Sequence, residues 1–186
     1  MAEPLHRYST VSLVFHWGLA LLVVVQIGLI MAYEGYDAAS DPLAGTYMGL
    51  HKSVGLSILV LTLARLAWRI MNPVIPLPTT VPRWQRILAR TTQVLFYVLL
   101  IGLPLGGWAA SSAAGRAIEW FGLFTWPGLP MPLNRELAGT IIEAHEVAGK
   151  ALIALIALHV IGALKHHFVD RDNVLRRMLP FIHPRP

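Results

Sequence analysis

The chain has 186 residues, 15 Lys+Arg against 10 Asp+Glu and a formal net charge of +5; 55% of its residues are apolar and only 13% are charged. Soluble domains run near ~25% charged, so a soluble globular fold is disfavoured, and the length suits one domain over 1–186. With no cysteine, a disulfide framework, thiolate metal ligands, iron–sulfur clusters and a cysteine nucleophile are excluded, so any redox chemistry must use a borrowed cofactor.

The positive charge does not point to nucleic acid. Cations for that purpose gather in a solvated patch or stripe, whereas these sit between long apolar runs. The expected partner is a lipid bilayer.

Tyr8–Tyr33 carries no charged residue and, at about 1.5 Å per residue, is long enough to cross a ~30 Å hydrocarbon core. It predicts the first helix, about 8–33. Its length, a single nearby cation at Arg7 and the lack of an A-x-A site set it apart from a cleavable signal peptide. An acidic loop with Glu34, Asp37 and Asp41 follows. The second helix, about 46–70, is uncharged only over Ser53–Ala64. It reaches spanning length if Lys52, Arg65 and Arg69 snorkel to the headgroups or bind something inside. Asn72–Pro82, with Pro73, Pro76, Pro78 and Pro82, reads as a stiff extended connector.

The uncharged run Thr91–Gly115 predicts a third helix, about 88–115, bent by Pro104 among Gly102, Gly106 and Gly107. Ala117–Leu133 holds Trp120, Phe121, Phe124, Trp126 and three prolines. It is too apolar for a free loop and is expected to lie on the outer leaflet or to cap the bundle. The fourth helix, about 140–168, needs Lys150 and Lys165 to snorkel in the same way.

Four spans place the N-terminus, the second connection and the C-terminus on one side, with eleven Lys+Arg against three acids; the other side has four against seven. That is +8 against −3, so both termini are expected in the cytoplasm. Tyr8, Tyr33, Tyr47, Trp68 and Trp84 fall near the predicted interfaces, as an aromatic belt would.

Eight histidines are many for this length. His6, His166, His167 and His183 fall in or beside cytoplasmic segments and receive no ligand role. His16, His51, His145 and His159 lie inside the spans, where an ionisable side chain usually faces the bundle interior and has a function. His16 and His159 share the cytoplasmic half, and His51 and His145 the outer half. The two on the fourth helix are fourteen residues apart, about 40° short of four turns, so both face nearly one way, separated by ~21 Å.

Two histidines on facing helices at one depth can hold a flat metal macrocycle edge-on, each imidazole meeting one axial position. This is bis-histidine haem ligation, and the pattern occurs twice. A porphyrin needs room against the backbone, and Gly55, Gly149 and Gly162 follow His51, His145 and His159 on the same helix faces, whereas His16 has Ala20 there. Propionates need cations, which Lys52 and Lys150 near the outer pair and Arg65 and Arg69 near the inner one supply. A proton relay or transition-metal transporter would be expected to show Asp or Glu at mid-span, and there is none. His145-Glu146 lacks the second zinc histidine four residues on, where Gly149 stands, and no phosphate-binding glycine motif occurs.

The chain resembles the bacterial cytochrome b561 family through an ordered set of motifs. These are Ser12-x-x-x-His16-Trp17, His51-x-x-x-Gly55, Arg65-Leu-x-x-Arg69, Leu103-Pro104-x-x-Gly107 and His145-Glu146-x-x-x-Lys150. The tail adds His166-His167, Asp172-Asn173, Arg177-Met178 and Pro180. The resemblance implies an all-α transmembrane four-helix bundle of the bacterial inner membrane. It implies two haems b ligated by His16 with His159 and by His51 with His145. It also implies an oxidoreductase of superoxide:ubiquinone type, passing electrons from periplasmic superoxide through both haems to ubiquinone. On that mechanism Arg65, Arg69 and His166 are candidates to orient the quinone or pass protons.

An anionic substrate is steered by positive potential, but the outer side sums to −3 and only Lys52, Lys150, Arg116 and Arg135 can form a local positive patch. The acidic loop suits a cationic periplasmic carrier equally well, so two donor classes stay open. The reading is di-haem electron transfer between a periplasmic one-electron donor and the quinone pool. The alternatives are a haem-bearing membrane anchor for a soluble dehydrogenase or hydrogenase, and a histidine-lined proton or metal transporter.

Overall fold

The computed structural model describes residues 7–38, 40–72, 81–179 and 181. His6, His183, Pro180 and most of the proline-rich connector lie outside them. Four long helices alternate in direction: α1 Thr10–Glu34, α2 Pro42–Met71, α3 Arg83–Ala113 and α4 Arg135–Phe168. Each is long and apolar enough to cross a membrane. All four expected spans are present, with ends displaced by up to five residues.

The displacements follow the local start signals. Asp41 accepts the Leu43 N–H at 2.8 Å with Pro42 in the first helical position, which sets the start of α2 a turn before 46. Asn134 does the same for α4 through the Leu137 N–H at 2.9 Å. α1 starts behind Ser9, whose Oγ accepts the Ser12 N–H at 3.3 Å. Pro104 lies inside α3 without ending it.

α1 packs on α2, α2 on α3 and α3 on α4, whereas α4 makes no comparably close backbone packing with α1 or α2 among the described residues. A core of Leu19, Val23, Val54, Ile58, Leu100 and Leu152 holds the four helices together. Leu152 stands seven residues from each of His145 and His159, so this core fills the middle of the bundle between the two histidine levels. The outward faces stay apolar, with Val14, Leu21, Val24 and Met31 of α1 each about two-thirds exposed. In water that surface would be costly; in lipid it is matched to its solvent.

The stretch expected to cap the bundle forms a two-stranded antiparallel hairpin, β1 Ile118–Trp120 with β2 Phe124–Trp126. Its tip turns through Phe121 and Gly122, both left-handed, with φ of 51° and 70°. Ser53 of α2 anchors it: Oγ lies 3.0 Å from the Glu119 carbonyl and accepts the Phe121 N–H at 3.1 Å. The Trp120 indole donates to Ser57 Oγ at 3.2 Å. Backbone beside a membrane helix must have its polar groups satisfied by protein, and Ser53 does this. At the other end, the chain after α4 closes with a short 3₁₀ turn, Arg176–Met178, which we label η1.

Candidate haem-binding site

The bundle brings the four span histidines together in two pairs. His16 of α1 faces His159 of α4 with ring centres 6.3 Å apart and planes at 64°. His51 of α2 faces His145 of α4, also at 6.3 Å, with planes at 69°. Both pairs join α4 to a helix on which it does not pack closely, so each stands where the bundle leaves space.

Two imidazoles binding one metal from opposite sides span about 6.2 Å between ring centres, from about 2.0 Å per nitrogen–metal bond and about 1.1 Å from nitrogen to ring centre. Both separations meet that requirement. At the pair near the hairpin, the backbone of Gln26 and of Leu103 engages the His51 and His145 rings, and Nδ1 of His145 lies against Gly106 and Gly107 of α3. One nitrogen of each ring is then used to orient it, and the other is left for a metal between the rings. The residues present therefore fit a haem.

The surrounding glycines divide differently from the sequence expectation. Nothing lies within 4 Å of where a Cβ would sit at Gly149 or Gly162, which leaves open room beside His145 and His159. Gly55 instead serves helix packing: a Cβ there would stand 3.2 Å from Gln26 Nε2 of α1. That amide donates to the His51 carbonyl at 3.0 Å. The expectation that Gly55 makes room for a porphyrin is corrected accordingly. Two glycines the sequence reading had assigned to a helix bend line the site: a Cβ at Gly107 would meet the His145 ring at 3.5 Å, and one at Gly106 at 3.9 Å. Their spacing from Pro104 was visible, but their facing α4 was not.

Around the other pair, Phe96 of α3 sets its ring edge-on to His159 at 5.3 Å. The Arg65 guanidinium, which can only donate, points Nη2 at His16 Nδ1 from 3.4 Å and lies 6.0 Å over the Tyr97 ring. Arg69 is turned to α3, donating to Gln93 Oε1 at 2.7 Å. Trp68, near the end of α2, donates across to Ser12 Oγ in the first turn of α1 at 3.2 Å. Lys52, next to His51, is partly buried and interacts electrostatically with Arg116. Lys150 is exposed, five residues and so about 140° around α4 from His145.

The sequence matches the prokaryotic cytochrome b561 family over residues 7–181. It is 33% identical to "Cytochrome b561 homolog 2" of Escherichia coli, across 93% of this chain and 91% of that one. It is 30% identical to "Probable superoxide oxidase CybB" of Yersinia pestis, across 94% and 96%. It is 31% identical to "Cytochrome b562" of Cereibacter sphaeroides, across 92% and 94%. With four spanning helices and paired imidazoles already in place, the match over nearly the whole length settles the assignment: this chain belongs to the prokaryotic cytochrome b561 family, multi-pass bacterial membrane proteins that bind haem b and transfer electrons.

Proposed function

We propose that the protein is a single membrane domain, 1–186, of the bacterial inner membrane that binds two haems b. One sits between His51 and His145 and the other between His16 and His159. It moves single electrons from a periplasmic donor to membrane quinone. The observation that carries this reading is the matched 6.3 Å spacing of the two ring pairs. The charge asymmetry of +8 against −3 supports cytoplasmic termini, which makes the His51/His145 pair the outer one. His51 with His145, and His16 with His159, would hold the iron, which would supply one-electron exchange with a donor that does not need to bind the metal. The protein's own part is to hold the imidazoles, exclude water between the levels with the core around Leu152, and set the charges. Lys52 and Lys150 are the propionate partners proposed outside, and Arg65 and Arg69 inside.

Superoxide is the donor this reading favours. One relative carries the name of a probable superoxide oxidase, and Lys52 and Arg116 place two interacting cations beside the outer pair, where an anion is attracted. A cationic periplasmic carrier is the second reading, favoured by the acidic loop of Glu34, Asp37 and Asp41. Dithionite-reduced spectra with pyridine haemochrome quantification should give two haems b per chain, and one or none rejects the proposal. Stopped-flow mixing with pulsed superoxide and a ubiquinone analogue then separates the two donors.

A further inference from the structure

The β1–β2 hairpin is amphipathic and rests on a side of α2 turned away from the histidines. Its register puts Ile118, Trp120, Phe124 and Trp126 on one face and the Glu119–Thr125 pair on the other. On that second face Thr125 Oγ1 donates to Glu119 Oε1 at 2.7 Å, and Glu119 is the only charged residue between 117 and 133. The apolar face is held at both helices it crosses. The Trp120 indole donates to Ser57 of α2 at 3.2 Å. The Trp108 indole of α3 donates to the Pro127 carbonyl at 2.9 Å, with its ring edge-on to Trp126 at 6.0 Å.

Depth and direction follow from helix geometry. Ser53, which takes the free edge of β1, is two residues past His51, and Ser57 is six. The hairpin backbone therefore stands at the level of the outer histidine pair, and Trp120 reaches about 9 Å below it. Both serines belong to the uncharged stretch Ser53–Ala64 of α2, the part of that helix most suited to hydrocarbon. Ser53 and Ser57 lie about 200° and 240° around α2 from His51, and Val60 about 180°. Val60 is 50% exposed, so the face that the hairpin covers becomes, within one turn, a face open to lipid.

The tip stays apolar and uncovered: Leu123 is 74% exposed, and Phe121 and Phe124 beside it are exposed as well. A lone two-stranded ribbon carrying such a tip is poorly suited to water. We propose that the hairpin is an interfacial wedge whose tip, Phe121–Phe124, inserts among the acyl chains of the leaflet at the end of the bundle opposite the termini. Glu119 and Thr125 on the other face are turned to the headgroups and water. The partner is the bilayer itself, because the tip continues the lipid-facing surface of Val60, and the one carboxylate of the segment lies on the opposite face. Of the two placements open to 117–133, the level of Ser53 and Ser57 selects the leaflet over a lid across the bundle end. The direction keeps the wedge clear of the space where His51 meets His145.

The chain has no cysteine, so single cysteines report position without background. Haem-loaded Leu123→Cys and Thr125→Cys proteins are placed in vesicles of phosphatidylethanolamine and phosphatidylglycerol and treated with a charged, membrane-impermeant maleimide. Both positions are exposed on the protein, so burial within the chain does not separate them. Thr125→Cys should label readily and Leu123→Cys at least roughly tenfold more slowly, because thiolate and reagent are both excluded from hydrocarbon. Denaturation in dodecyl sulfate should bring the two rates together. In the parent protein, lipids with a diazirine in the acyl chain should cross-link to residues 121–124, located by mass spectrometry. Leu123→Cys labelling as fast as Thr125→Cys overturns the wedge, and a Thr125→Cys as slow as Leu123→Cys overturns its orientation. A slow Leu123→Cys with no acyl-chain cross-link in the parent means that protein, such as a second copy of this chain, covers the tip, and the proposal fails. Should a cysteine variant lose haem, the cross-linking of the parent decides alone.

Discussion

Gly107 of α3 lies directly against the His145 imidazole: a Cβ at Gly107 would stand 3.5 Å from Cε1 and 3.8 Å from Nδ1. That is ordinary contact for one methyl group and leaves no room for a branch. Gly107→Ala is therefore expected to retain full haem, whereas Gly107→Leu pushes the ring from its partner and lowers the ratio toward one haem per chain. Pyridine haemochrome quantification reads both, and full haem content in Gly107→Leu contradicts the packing argument.

Removing either ring of one pair leaves the other pair intact, because Leu19, Val54, Ile58, Leu100 and Leu152 of the core lie between the levels. His51→Ala or His145→Ala should deplete the outer haem and leave much of the inner one. His16→Ala or His159→Ala should do the reverse. Each loss shows in the reduced α-band and in haem per chain. Loss of both haems together from any one of these changes is incompatible with two independent pairs.

The four spans and the two-tier pairing were legible in the sequence because a membrane helix must be long, apolar and uncharged, and an ionisable residue within it stands out. His145 and His159, fourteen apart on one helix, carried most of the site in their spacing alone. What stayed hidden depends on neighbours that periodicity does not name. Gly55 follows its histidine as Gly149 does, yet one meets Gln26 across a helix interface and the other open space. The hairpin was hidden for a similar reason: its strands are three residues each, and a serine on another helix completes their hydrogen bonds.

That serine gives a stability prediction. Ser53 is 1% exposed, and its hydroxyl is the partner of the Phe121 N–H. Ser53→Ala leaves that N–H and the Glu119 carbonyl without their bridge, at a cost of about 1–3 kcal/mol. Hydrogen exchange over residues 118–126 should accelerate in detergent-solubilised protein, with haem content preserved. Unchanged exchange would show that the strands hold themselves.

The Gln26–Gly55 contact is testable by a double-mutant cycle. A methyl group at Gly55 crowds Gln26 Nε2 at 3.2 Å and strains its bond to the His51 carbonyl. Gly55→Ala alone should destabilise the protein. In the Gln26→Ala background it should cost less, with a coupling of roughly 0.5–3 kcal/mol, read from thermal unfolding. Additive effects would return Gly55 to the haem pocket.

Arg65 is the cation that bears most directly on the inner pair, because its guanidinium reaches toward His16 Nδ1. Adding an electron to a redox centre there brings negative charge toward a fixed positive one, so Arg65 favours the reduced form. A unit charge about 8 Å away at an effective dielectric of about 20 is worth about 2 kcal/mol. For a one-electron couple that is roughly 90 mV, and partial exposure of the side chain reduces it to tens of millivolts. Arg65→Leu should therefore lower the midpoint potential of one haem by that amount and leave the other in place, whereas Arg65→Lys, which keeps the charge, should recover most of the fall. The outer pair is shielded by about 21 Å of helix, so equal shifts in both haems on redox titration would mean that Arg65 acts through the fold and not through its charge.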